Sequence, residues 1–374
     1  MMLRRLMLSC VALSLVACTN SRLGPPPSPL TDFKASAGFK VRWHTALGDA
    51  GNYMLRPAIN STSIVGVSSK GLLTAVARGT GKTLWKVKTG IVVAGGVGGS
   101  ENMVLVGGDK GDVLAYDLAG KPLWSSKVSS EVLNAPAVAD GVVVVRGGDS
   151  RLTALDATDG KQLWTYERAT PSLVVRSHAS VTIQRGIAYA GFAAGKIVAL
   201  DLKNGNLIWE NTVSQPRGNT ELDRISDITS DVEVDDEQAC AISFQGRVAC
   251  FDAAQGSQLW NRDISSDKGL MLLRKFLYLS DSSGVVMALD KTTGSTLWKN
   301  DQLTLRDTNT PYAYAEFVVV GDYQGYLHAL NREDGHFVAR FKLDGSPLQG
   351  AVQGLDDGLL VQTRDGELYS LTLQ

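Results

Sequence analysis

Two residue types that carry much of protein chemistry are scarce in these 374 residues: there are four cysteines and four histidines. His44, His178, His328 and His336 stand apart, with no His-Glu-x-x-His, Cys-x-x-Cys or Cys-x-x-Cys-His spacing, which excludes the short-range zinc and haem signatures. A Gly-x-Ser-x-Gly nucleophile elbow is also lacking. Neither sign of charge is in excess: 37 basic and 38 acidic residues leave a formal charge of −1, which argues against a nucleic-acid groove or a polybasic membrane patch. The apolar run from Leu6 to Ala17 is twelve residues long, too short to span a bilayer. The glycine-rich Ala94–Ser100 lacks the Lys-Ser/Thr and the following helix of a phosphate loop, so it reads as a glycine-rich strand and turn.

What the chain has instead is repetition. Gly284-Val-Val-Met-Ala-Leu-Asp-Lys-Thr-Thr-Gly-Ser-Thr-Leu-Trp298 is one copy of a unit that also runs Gly71–Trp85, Gly111–Trp124, Ser150–Trp164, Gly195–Trp209, Gly246–Trp260 and Gly325–Ala339. All seven tryptophans fall in the closing slot, at intervals of 42, 39, 40, 45, 51 and 38 residues. An eighth copy from Gly366 meets the chain end before its tryptophan segment, and Phe39-Lys-Val-Arg-Trp43 is a tryptophan segment with nothing before it. The two halves complete each other. A period of about 40–45 residues with four short strands per unit predicts an all-β fold, an eight-bladed β-propeller of four-stranded antiparallel blades. Its last blade is closed by the N-terminal strand, and the propeller occupies 39–374.

Within a unit, Val/Leu-x-Ala-x alternation predicts a half-buried strand, Thr-Gly or Asp-Gly a tight turn, and Lys-x-Leu-Trp the next strand. A small residue always stands four positions after the leading one (Ala75, Ala115, Ala154, Ala199, Cys250, Ala288, Ala329, Ser370), which leaves room for an indole. Asp117, Asp156, Asp201, Asp252 and Asp290 follow two positions later and suit turns, where a carboxylate accepts local backbone N–H groups. Cys240 and Cys250 flank a hairpin, either as a disulfide if its loop has an odd number of residues or as two buried strand residues.

The N-terminus has the form of an export signal, with basic Met1–Leu6 followed by the short apolar run. Leu15-Val-Ala-Cys18 resembles the lipobox of bacterial lipoproteins, which implies a signal peptide over 1–17 and acylation of Cys18. Thr19 in place of Asp implies, by the same resemblance, release to the outer membrane. More than one acyl chain gives stable anchoring. Pro25-Pro-Pro-Ser-Pro29 lies in a stretch without periodicity, so 18–38 is expected to be an acylated cysteine and a semi-rigid tether.

Only the intervals 164–209 and 209–260 are clearly long, and both extras follow a tryptophan strand, so they emerge side by side on one face. The first offers Leu173, Val174, Val175 and Arg176; the second offers Glu221, Leu222, Asp223, Arg224, Ile225 and Asp227. Apolar and arginine-bearing residues beside carboxylates have the composition of a protein interface, with an internal Arg176–carboxylate pair as the structural alternative.

The repeat resembles the tryptophan-docking repeat of quinoprotein dehydrogenases, but the adjacent Cys-Cys pair that lies over their quinone is lacking, so the likeness is to the scaffold. Signal and lipobox, eight repeats, Pro171-Ser-Leu-x-x-Arg176 and Thr220-Glu-Leu-Asp-Arg-Ile-Ser-Asp227 together resemble the BamB family, lipoprotein subunits of the outer-membrane β-barrel assembly machinery. That resemblance covers the whole chain. It implies a non-enzymatic periplasmic scaffold without cofactor or metal, lipid-anchored in the outer membrane. It also implies docking on the POTRA domains of BamA to assist insertion of barrel proteins, with unfolded outer-membrane clients as further partners. The family's BamA-contacting positions carry over to Leu173, Val175, Arg176 and Asp227, with Val175 where leucine is usual and Thr229 where a second acidic residue is usual. Competing readings are a quinone-dependent periplasmic dehydrogenase and a generic client-binding propeller that adds strands at its edges, although closed propellers leave only short, protected edges.

Cys18→Ala is expected to yield an unacylated protein whose propeller still folds. Membrane fractionation checks this, and retention of the variant with the outer membrane at high salt in cells lacking BamA would refute it.

Overall fold

The computed structural model describes residues 25–348 and 350–374. The expected signal peptide and Cys18 lie outside the described residues. Each repeat folds into one sheet of four antiparallel strands, and eight such sheets stand in a ring with their innermost strands adjoining. The blades span 58–88, 93–127, 137–166, 182–212, 233–262, 270–300 and 312–342, and the eighth combines 353–373 with Phe39–Ala46. The ring closes as the sequence predicts: Phe39 pairs with Leu373 and Ala46 with Glu367, antiparallel.

Burial peaks in the middle of each blade, and innermost strands such as Ala137–Ala139, which face the channel, are half-buried. Second strands such as Val142–Arg146 are buried throughout, because both faces pack on neighbouring blades, and so they read as unbroken apolar runs rather than alternating ones. Outer strands such as Gln258–Arg262 expose all but the tryptophan position and its neighbour.

The tryptophans join one blade to the next. Each is paired across strands with the small residue identified above, as Ala288 with Trp298 and Ser370 with Trp43. From that position the indole reaches the tight turn of the following blade. All seven Nε1 donors reach a turn carbonyl there, for example Trp43 to Arg78, Trp164 to Leu202 at 2.9 Å and Trp260 to Lys291 at 2.8 Å. The ring face lies on the turn glycine. A methyl group on Gly294 would stand 2.5 Å from Trp260 Cε3. The turn aspartates behave as expected: Asp290 Oδ1 accepts Thr292 and Thr293 N–H, and Asp117 Oδ1 accepts Ala119 and Lys121 N–H. An indole of ~200 Å² buried at ~25 cal/mol/Å² brings about 5 kcal/mol of gross transfer free energy to each junction that has one.

Cys240 and Cys250 are directly opposed across a five-residue loop, 243–247, and form a disulfide. Cys250 also pairs with Trp260, so the cystine fills the small-residue slot. Within the stretch expected as a tether, 18–38, residues 28–37 lie docked on the outer wall of the ring: Ser28 N–H is hydrogen-bonded to the connection between blades 6 and 7, and Ser36 and Ala37 N–H to blade 7.

Gly294 and Gly90 both have positive φ (+69° and +80°), but nothing lies within 4 Å of a Cβ placed on Gly90. Both alanine variants incur ~1 kcal/mol of backbone strain, and only Gly294→Ala adds the ~1–3 kcal/mol of overpacking against an indole. Denaturant melts of the two should therefore separate by that second amount. Equal destabilisation would show that the indole–glycine contact contributes nothing.

Candidate docking site

The connections from each outer strand to the next blade all leave on one face of the ring, here called the loop face; the tight turns under the indoles occupy the other. Two loop-face connections are long, 167–181 before blade 4 and 213–232 before blade 5. They are tied together from below by two carboxylates. Asp227 accepts Val175 N–H at 2.7 Å through Oδ2 and Ala194 N–H at 2.9 Å through Oδ1, while its own carbonyl accepts Phe244 N–H. Asp231 Oδ1 accepts Ser180 N–H at 2.5 Å. Each acid satisfies backbone donors that an irregular, half-buried loop would otherwise leave without partners.

Two arginines supply the compensating charge. Arg56, from the connection before blade 1, reaches Asp231 Oδ2 at 2.9 Å and Ser180 Oγ at 2.7 Å. Blades 1 and 5 are opposite members of an eight-membered ring, so this strut crosses the mouth of the central channel. Arg146, at the end of a buried strand, lies with its guanidinium 5.3 Å over the Phe192 ring, in the field of Asp231 and Asp227. Burial pulls its pKa down to about 10, and its Nη1 has no hydrogen-bond partner among the described residues. Near the strut, Glu233 is raised to about 7 by burial and by Asp231. The cavity at the channel, about 390 Å³, is lined mainly by glycine, alanine, proline and β-branched apolar residues, with Arg56, Ser180 and Gln353 as its polar members. That lining has no pair of titratable groups with opposed roles in proton transfer.

The loops are built to present side chains outward. Leu173 and Val174 are 39% and 40% exposed, and Arg176 extends beside them with Nη2 3.6 Å from Glu131 Oε1. Val175 is half-buried because its N–H is held by Asp227. In the second loop Thr220 and Asp223 cap each other, N–H to side chain in both directions at 3.2 Å, and the Thr220 hydroxyl and then its N–H hold the Asp223 carboxyl below its ordinary range. Arg224 Nε donates to Gly218 O at 3.1 Å. Glu221, Leu222, Asp223 and Arg224 are all exposed on this turn.

The sequence reading therefore finds the two loops and their adjacency, and needs one correction. Asp227 does not stand outward with Arg176; it is 3% exposed with both oxygens occupied by backbone N–H groups. The internal partner of Arg176 is Glu131, from the shorter connection before blade 3, and the pair is exposed on both sides. Arg56, Arg146 and Asp231 escape sequence reasoning, because each acts on another repeat: Arg56 meets Asp231 across the ring, and Arg146 lies on Phe192 of the next blade.

Fold and site together define an eight-bladed propeller whose elaborated feature is a pair of clipped loops on one face. A family model described as outer membrane protein assembly factor BamB matches residues 69–300. Proteins of that name from Nitrosomonas eutropha and Burkholderia pseudomallei are 42% and 37% identical, covering 89% and 96% of this chain and 81% and 96% of their own lengths. The Escherichia coli K12 protein is 33% identical, with 92% of each chain covered. The crystal structure of BamB from Moraxella catarrhalis superposes with a TM-score of 0.83 at 26% identity, over 89% of this chain and 99% of that one. The chain belongs to the BamB family of outer membrane protein assembly factors. A quinohemoprotein alcohol dehydrogenase from Comamonas testosteroni reaches a TM-score of 0.72 at 14% identity, over 89% of this chain and 76% of that one, which is a likeness of fold alone.

Asp227→Ala should strand the N–H groups of Val175 and Ala194. Leaving a buried donor unpaired costs about 2 kcal/mol, or a thirtyfold faster local opening. Hydrogen exchange at 172–177 and 194 is expected to accelerate by that order while the second strands keep their protection. Unchanged exchange there would show that the clip does not shape the loops.

Proposed function

We propose that this chain is a non-enzymatic, lipid-anchored periplasmic scaffold of outer-membrane protein assembly, and that it docks on the POTRA domains of BamA through the clipped loops. The observation that carries the site is the pairing of exposed Leu173 and Val174 with a protruding Arg176 on a loop held from beneath by Asp227. Apolar side chains fixed in water by a rigid support are costly unless a partner covers them, and rigid presentation lowers the ordering cost of binding. Arg176 adds a planar fork suited to a carboxylate or a pair of carbonyls. Glu221, Asp223 and Arg224 form the polar rim on the neighbouring turn. Asp227 has a different part: it positions Val175 and Arg176 and is not itself a contact.

The ion pair of Arg176 with Glu131 is exposed, and such pairs contribute ~0–1 kcal/mol. A central arginine in an interface commonly contributes about 2 kcal/mol or more on truncation. Arg176→Ala should therefore weaken binding to the isolated BamA POTRA region about thirtyfold or more, with the melting temperature nearly unchanged. Calorimetric titration and a thermal melt measure both quantities. Undiminished binding, with or without a lowered melting temperature, would move the interface elsewhere.

A further inference from the structure

The loop face also receives the N-terminal segment. At its upper end Ser28 N–H donates to Thr304 O at 2.9 Å, and Arg306 Nη1 donates to Ser28 O at 3.0 Å, both at the connection 301–311 between blades 6 and 7. Midway down the outer wall, Arg340 Nη1 donates to Thr31 O at 2.9 Å, and its guanidinium lies 5.0 Å over Phe33 and 5.4 Å over Phe337. Phe33 stacks on Phe337 at 5.5 Å. Further on, Ser36 and Ala37 N–H both donate to Val338 O, and Gly38 meets Gln374. Residues 28–38 thus run from the loop face to the turn face, where Phe39 begins the strand that climbs back.

This is a built seat. Val338 is 3% exposed, whereas its counterparts before the tryptophan in other blades, such as Leu84 and Leu297, are 55% and 47% exposed. Beneath the segment lies a buried charged network in which Arg306 grips Asp322 through Nε at 2.8 Å and Nη2 at 2.6 Å, and His328 Nε2 bonds the same oxygen at 3.0 Å. Arg340 Nε donates to His328 Nδ1, so the imidazole is the neutral tautomer that donates to Asp322. Each arginine of the network spends one further N–H on a carbonyl of the segment. Without the segment those donors and the phenylalanine platform would be bare.

We propose that residues 28–37 are an orienting clasp, which brings the anchored N-terminus out at the loop face and so turns the docking loops toward the lipid surface. The inference rests on Cys18 being acylated, as the proposed function has it. From Cys18 to Ser28 is ten residue steps, a reach of at most about 33–36 Å, and it starts at the loop face. Released, the leash would be the twenty-one steps from Cys18 to Phe39, about 70 Å, and it would start at the turn face. The clasp therefore sets both the length of the leash and the face from which it pulls.

The test uses the full-length acylated protein in phosphatidylethanolamine–phosphatidylglycerol vesicles that carry an energy-transfer acceptor on the headgroups. Donor dyes are placed at Lys110→Cys on the loop face or Ala119→Cys on the turn face; both positions are exposed and belong to blade 2. Blade height is about 20 Å, so transfer should be about twofold or more stronger from position 110 than from 119. The double variant Phe33→Ala/Arg340→Ala should bring that ratio to one or reverse it. Inserting a 20-residue Gly-Ser linker after Leu23, which leaves the clasp in place, should lower the ratio toward one without any change in melting temperature. Equal transfer from the two faces in the acylated parent, or a ratio untouched by both variants, would overturn the orientation. A mass spectrum without acyl groups, with no vesicle association, would instead overturn the anchoring reading, and the orientation with it.

Discussion

The ring depends on one contact made over and over: an indole lying on a turn glycine of the next blade, with its N–H on a turn carbonyl. The contact is demanding at both ends. At one end it needs a small cross-strand partner, so that the indole can lie flat; at the other it needs a residue with no side chain in a left-handed turn. A single glycine satisfies both the backbone and the packing demand, which is why Thr-Gly or its equivalent recurs at constant distance from each tryptophan. Because Trp43 docks on the turn of blade 1 while its strand completes blade 8, the closing strand also makes the closing contact.

The one junction without an indole has a physical reason. After Ala339 the next blade offers no tight turn, because the corresponding position is where the chain ends meet, with Gly38 and Gln374 exchanging backbone hydrogen bonds. A tryptophan there would have neither carbonyl nor glycine face. The site is filled instead by Ala37, Phe39 and Phe341, packed with Ala339 in one apolar cluster, and by the extended segment that leads to them. The decayed repeat and the docked N-terminal segment are thus two sides of one solution to closing a ring made from an open chain.

On this stiff frame the variable connections are where the chain departs from its repeat. Two acids beneath the loops and two arginines beside them make a balanced group, with the acids bonded to loop N–H donors and Arg56 bridging the channel mouth. Pairing charge with backbone donors in this way fixes the shape of the loops, since each bond has a direction that apolar packing lacks. The product is a surface whose apolar side chains cannot collapse onto the ring.

The sequence by itself determined the blade count, the closure by Phe39–Ala46, the turn role of the aspartates and the pair of elaborated loops, because each is written as a local pattern repeated at fixed spacing. It also placed Leu173, Val174 and Arg176 in a surface loop, since an insertion after an outer strand emerges at one face. Only the tertiary structure decided that Asp227 turns inward, that Arg176 faces Glu131, that Arg56 spans the channel and that residues 28–37 are seated rather than free. These are contacts between residues far apart in the chain, and a carboxylate's direction depends on which unpaired N–H groups the fold happens to bring within reach. A repeat announces itself through periodicity, whereas a contact across the ring has no period to read.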